Sequence, residues 1–177
     1  MTDVHNGAQH RDLVPVTARI GSGWAPRDSV TAMAEQATVI REARVDDEAE
    51  LWPMASALAT SYEPTRERFR AGLRGITEDP RAAVLVAEHD GSLVGYVHVL
   101  VHEAFHADGL IGWVEELMVG EHQRGTGCGR ALMAAAEQWA TGTFDIAYLA
   151  VATRRAEGFY RSIGYDDSAT YFKKSFR

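Results

Sequence analysis

The stretch EELMVGEHQRGTGCGRAL, residues 115–132, predicts a strand that passes through a glycine-rich turn into a helix, and the other elements are interpreted around it. Glycines alternate at Gly125, Gly127 and Gly129, where the helix would begin. Glycine tolerates positive φ and close approach of the backbone, so successive N–H groups can face one phosphate at the positive end of the helix dipole. The stretch therefore predicts an anion-binding turn, with Arg124 and Arg130 as flanking counter-charges.

Two well-known phosphate motifs fail here on specific residues. Gly120 and Gly125 have the spacing of a P-loop, but Thr126-Gly127 stands where Lys followed by Ser or Thr is required. A dinucleotide fingerprint would need a third Gly or Ala where this chain has Arg130 or Leu132. The sequence thus disfavours both a nucleoside triphosphatase and a dinucleotide-binding Rossmann domain.

Residues 124–132 read Arg-Gly-x-Gly-x-Gly-x-x-Leu, and this pattern resembles the acetyl-CoA motif of the GNAT N-acetyltransferase superfamily. A second pattern, Ala-x-x-Phe-Tyr-x-x-x-Gly-Tyr at residues 156–165, is similar to the last helix of that family. The resemblance covers about residues 38–176. It implies an α/β (α+β) GNAT fold, which has a central mixed, mostly antiparallel sheet with a splayed central pair of strands and helices on both faces.

Composition indicates one globular domain, since 46% of the 177 residues are hydrophobic and 24% are charged. Residues 1–37 lack sustained periodicity and are predicted to form a partly flexible N-terminal extension, with the acetyltransferase domain at residues 38–177. The net charge of -7 does not favour a nucleic-acid partner, and no apolar run approaches the roughly 20 residues of a membrane span. A single cysteine excludes an intrachain disulfide, so we expect a cytoplasmic protein.

Apolar periodicity and turn residues predict the order of elements along the chain. They are a strand at 38–43, a helix after Asp46 or Asp47, a helix from Pro64 to about Gly75, hairpin strands at 82–88 and 93–101, a central strand at 111–119, a helix from the glycine turn to Gly142, a strand at 146–151, a helix at 153–163 and a closing strand at 169–176. This order is the GNAT layout.

The central strand carries two acidic residues among apolar ones. Simple alternation places Trp113, Glu115, Leu117 and Val119 on one face and Val114, Glu116 and Met118 on the other. Both faces are largely apolar, so we expect helices to cover both.

Three histidines, His98, His102 and His106, recur every four residues. That spacing would gather metal ligands on a helix, but the β-branched residues of this segment predict a strand followed by a loop. No metal site is predicted.

The resemblance implies acetyl-CoA as a co-substrate, and the residues implied to contact it fall into two groups. Backbone groups of Leu117, Met118 and Val119 would pair with the pantetheine in the gap between the splayed strands. The turn and helix terminus would hold the pyrophosphate through Arg124, Gly125, Thr126, Gly127, Cys128, Gly129 and Arg130. Cys128 could be a reactive thiolate or a small side chain tolerated near the backbone. Thr153 stands where the family often has a cofactor-contacting Asn, and its hydroxyl implies a shorter or water-mediated contact.

Acetyl transfer needs a base for the amine and an acid for the leaving thiolate. Tyr160 matches the tyrosine that the family places beside the CoA sulfur, which implies that it contacts the cofactor and acts as the general acid. Glu115 is the first candidate for the base, and Glu116 is the second because a β-bulge would shift the alternation by one residue. Either glutamate could instead be a solvated acid at the rim of the cleft.

The implied function is transfer of the acetyl group of acetyl-CoA to a primary amine of a small cationic acceptor, by direct attack in a ternary complex. The alternatives are a protein N-acetyltransferase and a non-catalytic acyl-CoA-binding sensor. Trp52, Tyr62 and Glu63 are candidates for the acceptor side of the site. Ordinary packing would also explain Trp52, and a position in a solvated loop would also explain Glu63. A homodimer is possible for this family.

Overall fold

The computed structural model describes residues 38–59 and 62–176, so the predicted extension at residues 1–37 lies outside the described residues. The regular elements are β1 (Val39–Glu42), α1 (Glu48–Leu58), α2 (Arg66–Glu78), β2 (Ala82–His89), β3 (Ser92–Ala104), β4 (Gly109–Val119), α3 (Cys128–Thr143), β5 (Ile146–Val151) and α4 (Glu157–Ser162). Up to α4, this order is the one predicted from the sequence.

The strands form a five-stranded sheet in the order β1-β2-β3-β4-β5. The first three pairings are antiparallel, and β4 pairs with β5 in parallel. The hairpin between β2 and β3 turns at Asp90 and Gly91, which both have positive φ, at 53° and 74°. That geometry is the reason for the Asp-Gly pair. The predicted mixed, mostly antiparallel sheet is confirmed.

Helices cover both faces of the sheet, as predicted. Helix α3 lies on one face because its apolar residues recur at helical spacing and pack against β3 and β4; the buried ones are Cys128, Leu132, Met133, Ala136, Trp139 and Ala140. Helices α1 and α2 lie on the other face, where a second core contains Leu51, Leu73, Val84, Val86 and Tyr96.

The parallel pairing of β4 with β5 ends at Val114 opposite Val151, while β4 continues to Val119. Residues 115–119 of β4 therefore have no β5 partner, and the two strands diverge there. This is the splayed central pair that the resemblance implied. It leaves backbone groups on one edge of β4 without ladder partners.

A β-bulge in β4 changes the predicted alternation. His98 of β3 pairs with Glu116, but the next residue, Val99, pairs with Val114, so Glu115 is an additional residue on β4. Because a bulge shifts the alternation by one residue, Val114 packs in the same core as Leu117 on the α3 face. The predicted placement of Val114 beside Glu116 and Met118 was wrong for this reason.

Boundaries of three predicted helices were also wrong. Helix α2 begins after Thr65, whose Oγ1 accepts a 3.4 Å hydrogen bond from the Arg68 amide, and it continues through Gly75 to Glu78. Helix α3 passes Gly142 and ends at Thr143. A glycine inside a helix costs only about 1 kcal/mol relative to alanine, which tertiary packing overrides. The last helix begins at Glu157 instead of residue 153, because Thr153 is used in the turn before it.

The predicted closing strand at 169–176 is not formed, and residues 165–176 have no regular secondary structure. The aromatic side chains that suggested a strand are largely exposed: Tyr171 by 64%, Phe172 by 88% and Phe176 by 88%. An extended segment gains stability as a strand only when its side chains pack on a neighbour. These side chains stay largely exposed, so the β propensity of the segment is not realised.

Candidate active site

The glycine-rich turn connects the end of β4 to the N-terminus of α3. Gly125 has φ +79° and Gly127, the residue before the helix, has φ +94°. These are backbone conformations that residues with a Cβ rarely adopt, which explains both glycines. Within residues 62–176, no hydrogen bond starts from the backbone amides of residues 125–130, and the first amide that does donate is that of Ala131, to Gly127 O at 3.0 Å. These amides at the positive end of a 16-residue helix can bind an anion.

Gly129 lies where three elements of the site meet. A Cβ added at this residue would lie 3.4 Å from Cζ of Phe159 in α4 and 3.6 Å from Cγ2 of Val119 in β4. The N-terminus of α3, the end of β4 and α4 therefore pack together. The Phe159 ring in turn contacts that of Tyr160, with 5.1 Å between the centroids.

The two predicted counter-charges each bind a backbone carbonyl. Arg124 Nε donates to Val119 O at 3.3 Å and so ties the turn to the end of β4. Arg130 Nη2 donates to Ser162 O at 3.2 Å and so ties α3 to the C-terminus of α4. Both arginines are exposed and keep further N–H donors for a ligand. The sequence did not indicate the carbonyl partner of Arg130, since Ser162 is distant from it along the chain.

Cys128 is 2% exposed and lies in the core beneath α3. Burial raises the pKa of its thiol, so the side chain is neutral at neutral pH. Of the two interpretations of this cysteine, the buried position favours the small packing side chain. Its backbone amide, at the start of α3, is the group that can face a ligand.

Thr153 has a local role that the sequence did not reveal. Its Oγ1 accepts hydrogen bonds from the backbone amides of Ala156 at 3.0 Å and Arg155 at 3.4 Å. Hydroxyls commonly satisfy backbone groups at the start of a helix in this way. The Thr153 hydroxyl thus fixes the turn that leads into α4, and its proton remains available to donate to a ligand.

A cleft of about 480 Å³ opens where β4 and β5 diverge. It is lined by Trp113, Val114, Glu115, Ala152, Thr153, Arg154, Tyr171 and Lys173. The structure therefore brings Glu115 and Thr153 together, whereas Tyr160 is not among the lining residues. The sequence missed Arg154, Tyr171 and Lys173, because a segment without regular structure has no periodicity that would assign it to a cleft.

The C-terminal segment reaches from this cleft to Tyr62, which lies in the connection between α1 and α2. The Tyr62 hydroxyl donates to Ser175 Oγ at 3.2 Å, and Lys173 Nζ lies 4.8 Å from the centroid of the Tyr62 ring. The predicted acceptor-side position of Tyr62 is therefore next to the tail that lines the cleft. Trp52, another candidate, packs its ring 5.5 Å from that of Phe69.

Tyr160 is 8% exposed and lies in the core between α3 and α4, with its ring 5.8 Å from that of Tyr165. Burial raises the pKa of its hydroxyl, so the phenol is protonated at neutral pH. Among residues 38–59 and 62–176, the Tyr160 hydroxyl has no hydrogen-bond partner. A protonated phenol with a free hydroxyl can act as a proton donor.

Glu116 faces a different opening from Glu115, as a consequence of the bulge. It lines a cavity of about 220 Å³ between α2 and the sheet, and its Oε2 accepts a 2.7 Å hydrogen bond from the Tyr96 hydroxyl. Burial, and then the Glu116 charge, raise the pKa of Tyr96 above its usual range, so Tyr96 is a neutral donor. His98 also lines the cavity, and burial lowers its pKa although the charges of Glu116 and Glu115 act in the opposite direction.

A profile of the acetyltransferase (GNAT) domain matches residues 80–167, from the start of β2 to just beyond α4. The chain belongs to the GNAT acetyltransferase family. No curated protein sequence matches this GNAT chain. In the residues that the structure describes, no helix is long and apolar enough to cross a membrane, and no three His, Cys, Asp or Glu side chains form a cluster that could hold a metal ion.

Solved structures share this GNAT fold at low sequence identity. An aminoglycoside N-acetyltransferase in complex with CoA aligns at a TM-score of 0.73, with 15% identity, over 83% of this chain and 100% of that one. Glucosamine-6-phosphate N-acetyltransferase from Arabidopsis thaliana aligns at 0.69, with 17% identity, over 78% and 97%. A ribosomal-protein-alanine N-acetyltransferase from Brucella melitensis aligns at 0.65, with 21% identity, over 80% and 100%. These similarities establish the fold and leave the acceptor open.

Proposed function

We propose that this protein is an acetyl-CoA-dependent N-acetyltransferase that acts on a primary amine of a small cationic acceptor. One observation carries the proposal: β4 leaves β5 at Val114, next to a turn whose amides at residues 125–130 have no partner in the described chain. An anion-binding turn beside an open strand edge is suited to a ligand that has both a diphosphate and an amide-containing arm. The structural neighbour solved with CoA supports this choice of ligand.

In the proposed complex, backbone groups of Leu117, Met118 and Val119 pair with the pantetheine amides. Their side chains are directed into the two cores, Leu117 and Val119 toward α3 and Met118 toward α1 and α2. The strand edge is therefore left for the ligand. The turn and the start of α3, residues 124–130, bind the pyrophosphate through amides, and Arg124 and Arg130 add charge.

The amine nitrogen attacks the acetyl carbonyl carbon, forming a C–N bond and a tetrahedral oxyanion. Collapse of this intermediate breaks the C–S bond and releases the CoA thiolate, which takes a proton from the Tyr160 hydroxyl. The proton lost by the amine goes to Glu115, directly or through water. The protonated phenol of Tyr160 and the exposed carboxylate of Glu115 support these roles.

The test is release of free thiol from acetyl-CoA with a panel of amines, together with calorimetry of acetyl-CoA binding. Acceptor-stimulated release with a small amine is the expected result. Tight binding of acetyl-CoA without stimulated release by any amine would favour the sensor, and release only with a peptide N-terminus would favour the protein N-acetyltransferase. Failure of acetyl-CoA to bind at all would refute the whole proposal.

A further inference from the structure

The cavity beneath α2 is apolar except at one end. Phe69, Leu73 and Ile76 of α2 line it, together with Leu51 of α1 and Val84 of β2. Its polar end consists of Tyr96, His98 and Glu116. An apolar pocket with a few polar groups at one end is the usual form of a small-molecule site. It also adjoins the proposed acetyl site, because Glu116 follows Glu115 on the part of β4 that has left β5.

The polar end of this cavity contains one carboxylate, that of Glu116. The Tyr96 hydroxyl binds Oε2 of Glu116, and in the described residues no Lys, Arg or His forms an ion pair with that carboxylate. Neither Tyr96 nor His98 supplies a compensating charge, since burial favours the neutral form of both. One ammonium group can therefore pair with the one carboxylate among the described lining residues, whereas the further ammonium groups of a polyamine would find no second carboxylate in that lining.

The volume of the cavity limits the apolar part of a ligand. At about 220 Å³ it exceeds the ~150 Å³ engineered cavity that is known to bind benzene. A phenyl ring or a branched chain of four or five carbons would fit, and a sugar ring would leave its hydroxyl groups against Phe69, Leu73 and Ile76 without partners.

We propose that the acceptor is a monoamine with a compact apolar substituent, that the substituent occupies the cavity beneath α2, and that Glu116 binds the ammonium group. The proposal rests on the acetyltransferase function proposed above and specifies its acceptor. Tyr96 positions the carboxylate. The bound ammonium group loses one proton to water, which gives the neutral amine that attacks, and Glu115 on the other side of the bulge accepts the second proton after the attack.

Helix α2 offers a matched pair of glycines for the test. A Cβ at Gly72 or at Gly75 would meet nothing within 4 Å, and neither glycine has a positive φ, but only Gly72 lines the cavity. Gly72→Leu should therefore fill the cavity without a backbone clash. Gly75→Leu makes the same change on the same helix away from the cavity. Both variants should fold, since leucine is a better helix former than glycine, and thermal unfolding checks this.

The experiment compares phenethylamine, isoamylamine, ethanolamine and spermidine as acceptors with wild-type protein and both variants. For the wild type, kcat/KM should be roughly 10- to 100-fold higher with the two apolar monoamines than with ethanolamine. Gly72→Leu should remove most of this preference by raising KM for the two apolar monoamines, while its turnover of ethanolamine stays near the wild-type value. Gly75→Leu should have wild-type kinetics with all four amines. Preference for ethanolamine or spermidine, or an unchanged preference in Gly72→Leu, would overturn the proposal.

The acetyl-transfer proposal and the acceptor proposal fail in different ways. Thiol release with hydrophilic amines alone would refute the apolar acceptor and leave the transferase standing. If acetyl-CoA binds and no amine is acetylated, saturation-transfer NMR tests whether phenethylamine binds in the cavity. Binding that is lost in Gly72→Leu and kept in Gly75→Leu would support the site, and no binding to the wild type would refute it.

Discussion

The Tyr96 hydroxyl donates a 2.7 Å hydrogen bond to Oε2 of Glu116, although the direct cross-strand partner of Tyr96 is Met118. The contact is thus a diagonal one between β3 and β4, within reach of a long aromatic side chain. It fixes Glu116 at the cavity beneath α2. The adjacent Glu115 is the bulged residue and faces the cleft between β4 and β5.

Separate replacement of the two glutamates should therefore have different kinetic effects. Glu115→Gln removes the proposed proton acceptor and should lower kcat by about 100-fold or more, with KM for the amine little changed. Glu116→Gln removes the proposed ammonium ligand and should raise KM for the amine by about tenfold. Steady-state kinetics with the best amine of the panel gives both constants. The reverse pattern would assign the base to Glu116.

Replacing Tyr160 with phenylalanine should slow turnover and leave binding intact. The variant keeps the buried ring and loses the proton donor, so kcat should fall by about 100-fold while the Kd of acetyl-CoA, measured by calorimetry, stays within about twofold. Tyr148→Phe is the control, because Tyr148 is an exposed tyrosine of β5 whose hydroxyl contacts His106. Equal turnover in the two variants would indicate that Tyr160 contributes only packing and is not the proton donor.

Gly127→Ala should weaken acetyl-CoA binding. Gly127 has φ +94°, and holding a residue with a Cβ in that region costs about 1–3 kcal/mol. The turn should relax and move its amides away from the pyrophosphate, which we expect to raise the Kd on the order of tenfold. Gly75→Ala, at a helical glycine with open space around it, serves as the control and should bind acetyl-CoA as the wild type does. Unchanged affinity in Gly127→Ala would place the pyrophosphate elsewhere.

Stability at low pH should depend on Asp47. Arg41 donates two hydrogen bonds to this carboxylate, at 2.7 and 2.9 Å, and a third at 2.8 Å to Glu88. The Arg41 hydrogen bond holds the pKa of Asp47 below its usual value. Because the folded-state pKa is depressed, the stabilisation is complete above the unfolded pKa of about 3.9 and is lost as the pH falls through the folded value.

Asp47→Asn should accordingly lower the free energy of unfolding by about 1–3 kcal/mol at pH 7. The difference from the wild type should be smaller at pH 3, below the unfolded pKa of about 3.9, because protonation of the carboxylate in the unfolded state then offsets part of the stabilisation. Urea unfolding at both pH values measures this, and Asp46→Asn, at the exposed neighbouring residue, is the control. A difference that is the same at both pH values would contradict the role of the charge.

Local patterns in the sequence were sufficient for most of the fold. The Asp90-Gly91 turn, the glycines at 125 and 127 and the spacing of Leu132, Ala136 and Trp139 each depend on residues close together in the chain. The order of strands and helices through β5 followed from them. The same approach failed for residues 169–176, which have high β propensity but form no strand.

The glycine-rich turn before α3 followed from the sequence, because positive φ at Gly125 and Gly127 is a local backbone property that glycine permits. Only the tertiary structure showed that Glu115 and Glu116 face different openings. The cause is a β-bulge, which is defined by the register of β4 against β3 and so cannot be identified from β4 alone. The tertiary structure also decided that Arg130 binds Ser162 O and that Glu116 lies at the end of an apolar cavity. These relationships join residues far apart in the chain, where packing rather than local preference sets the distances.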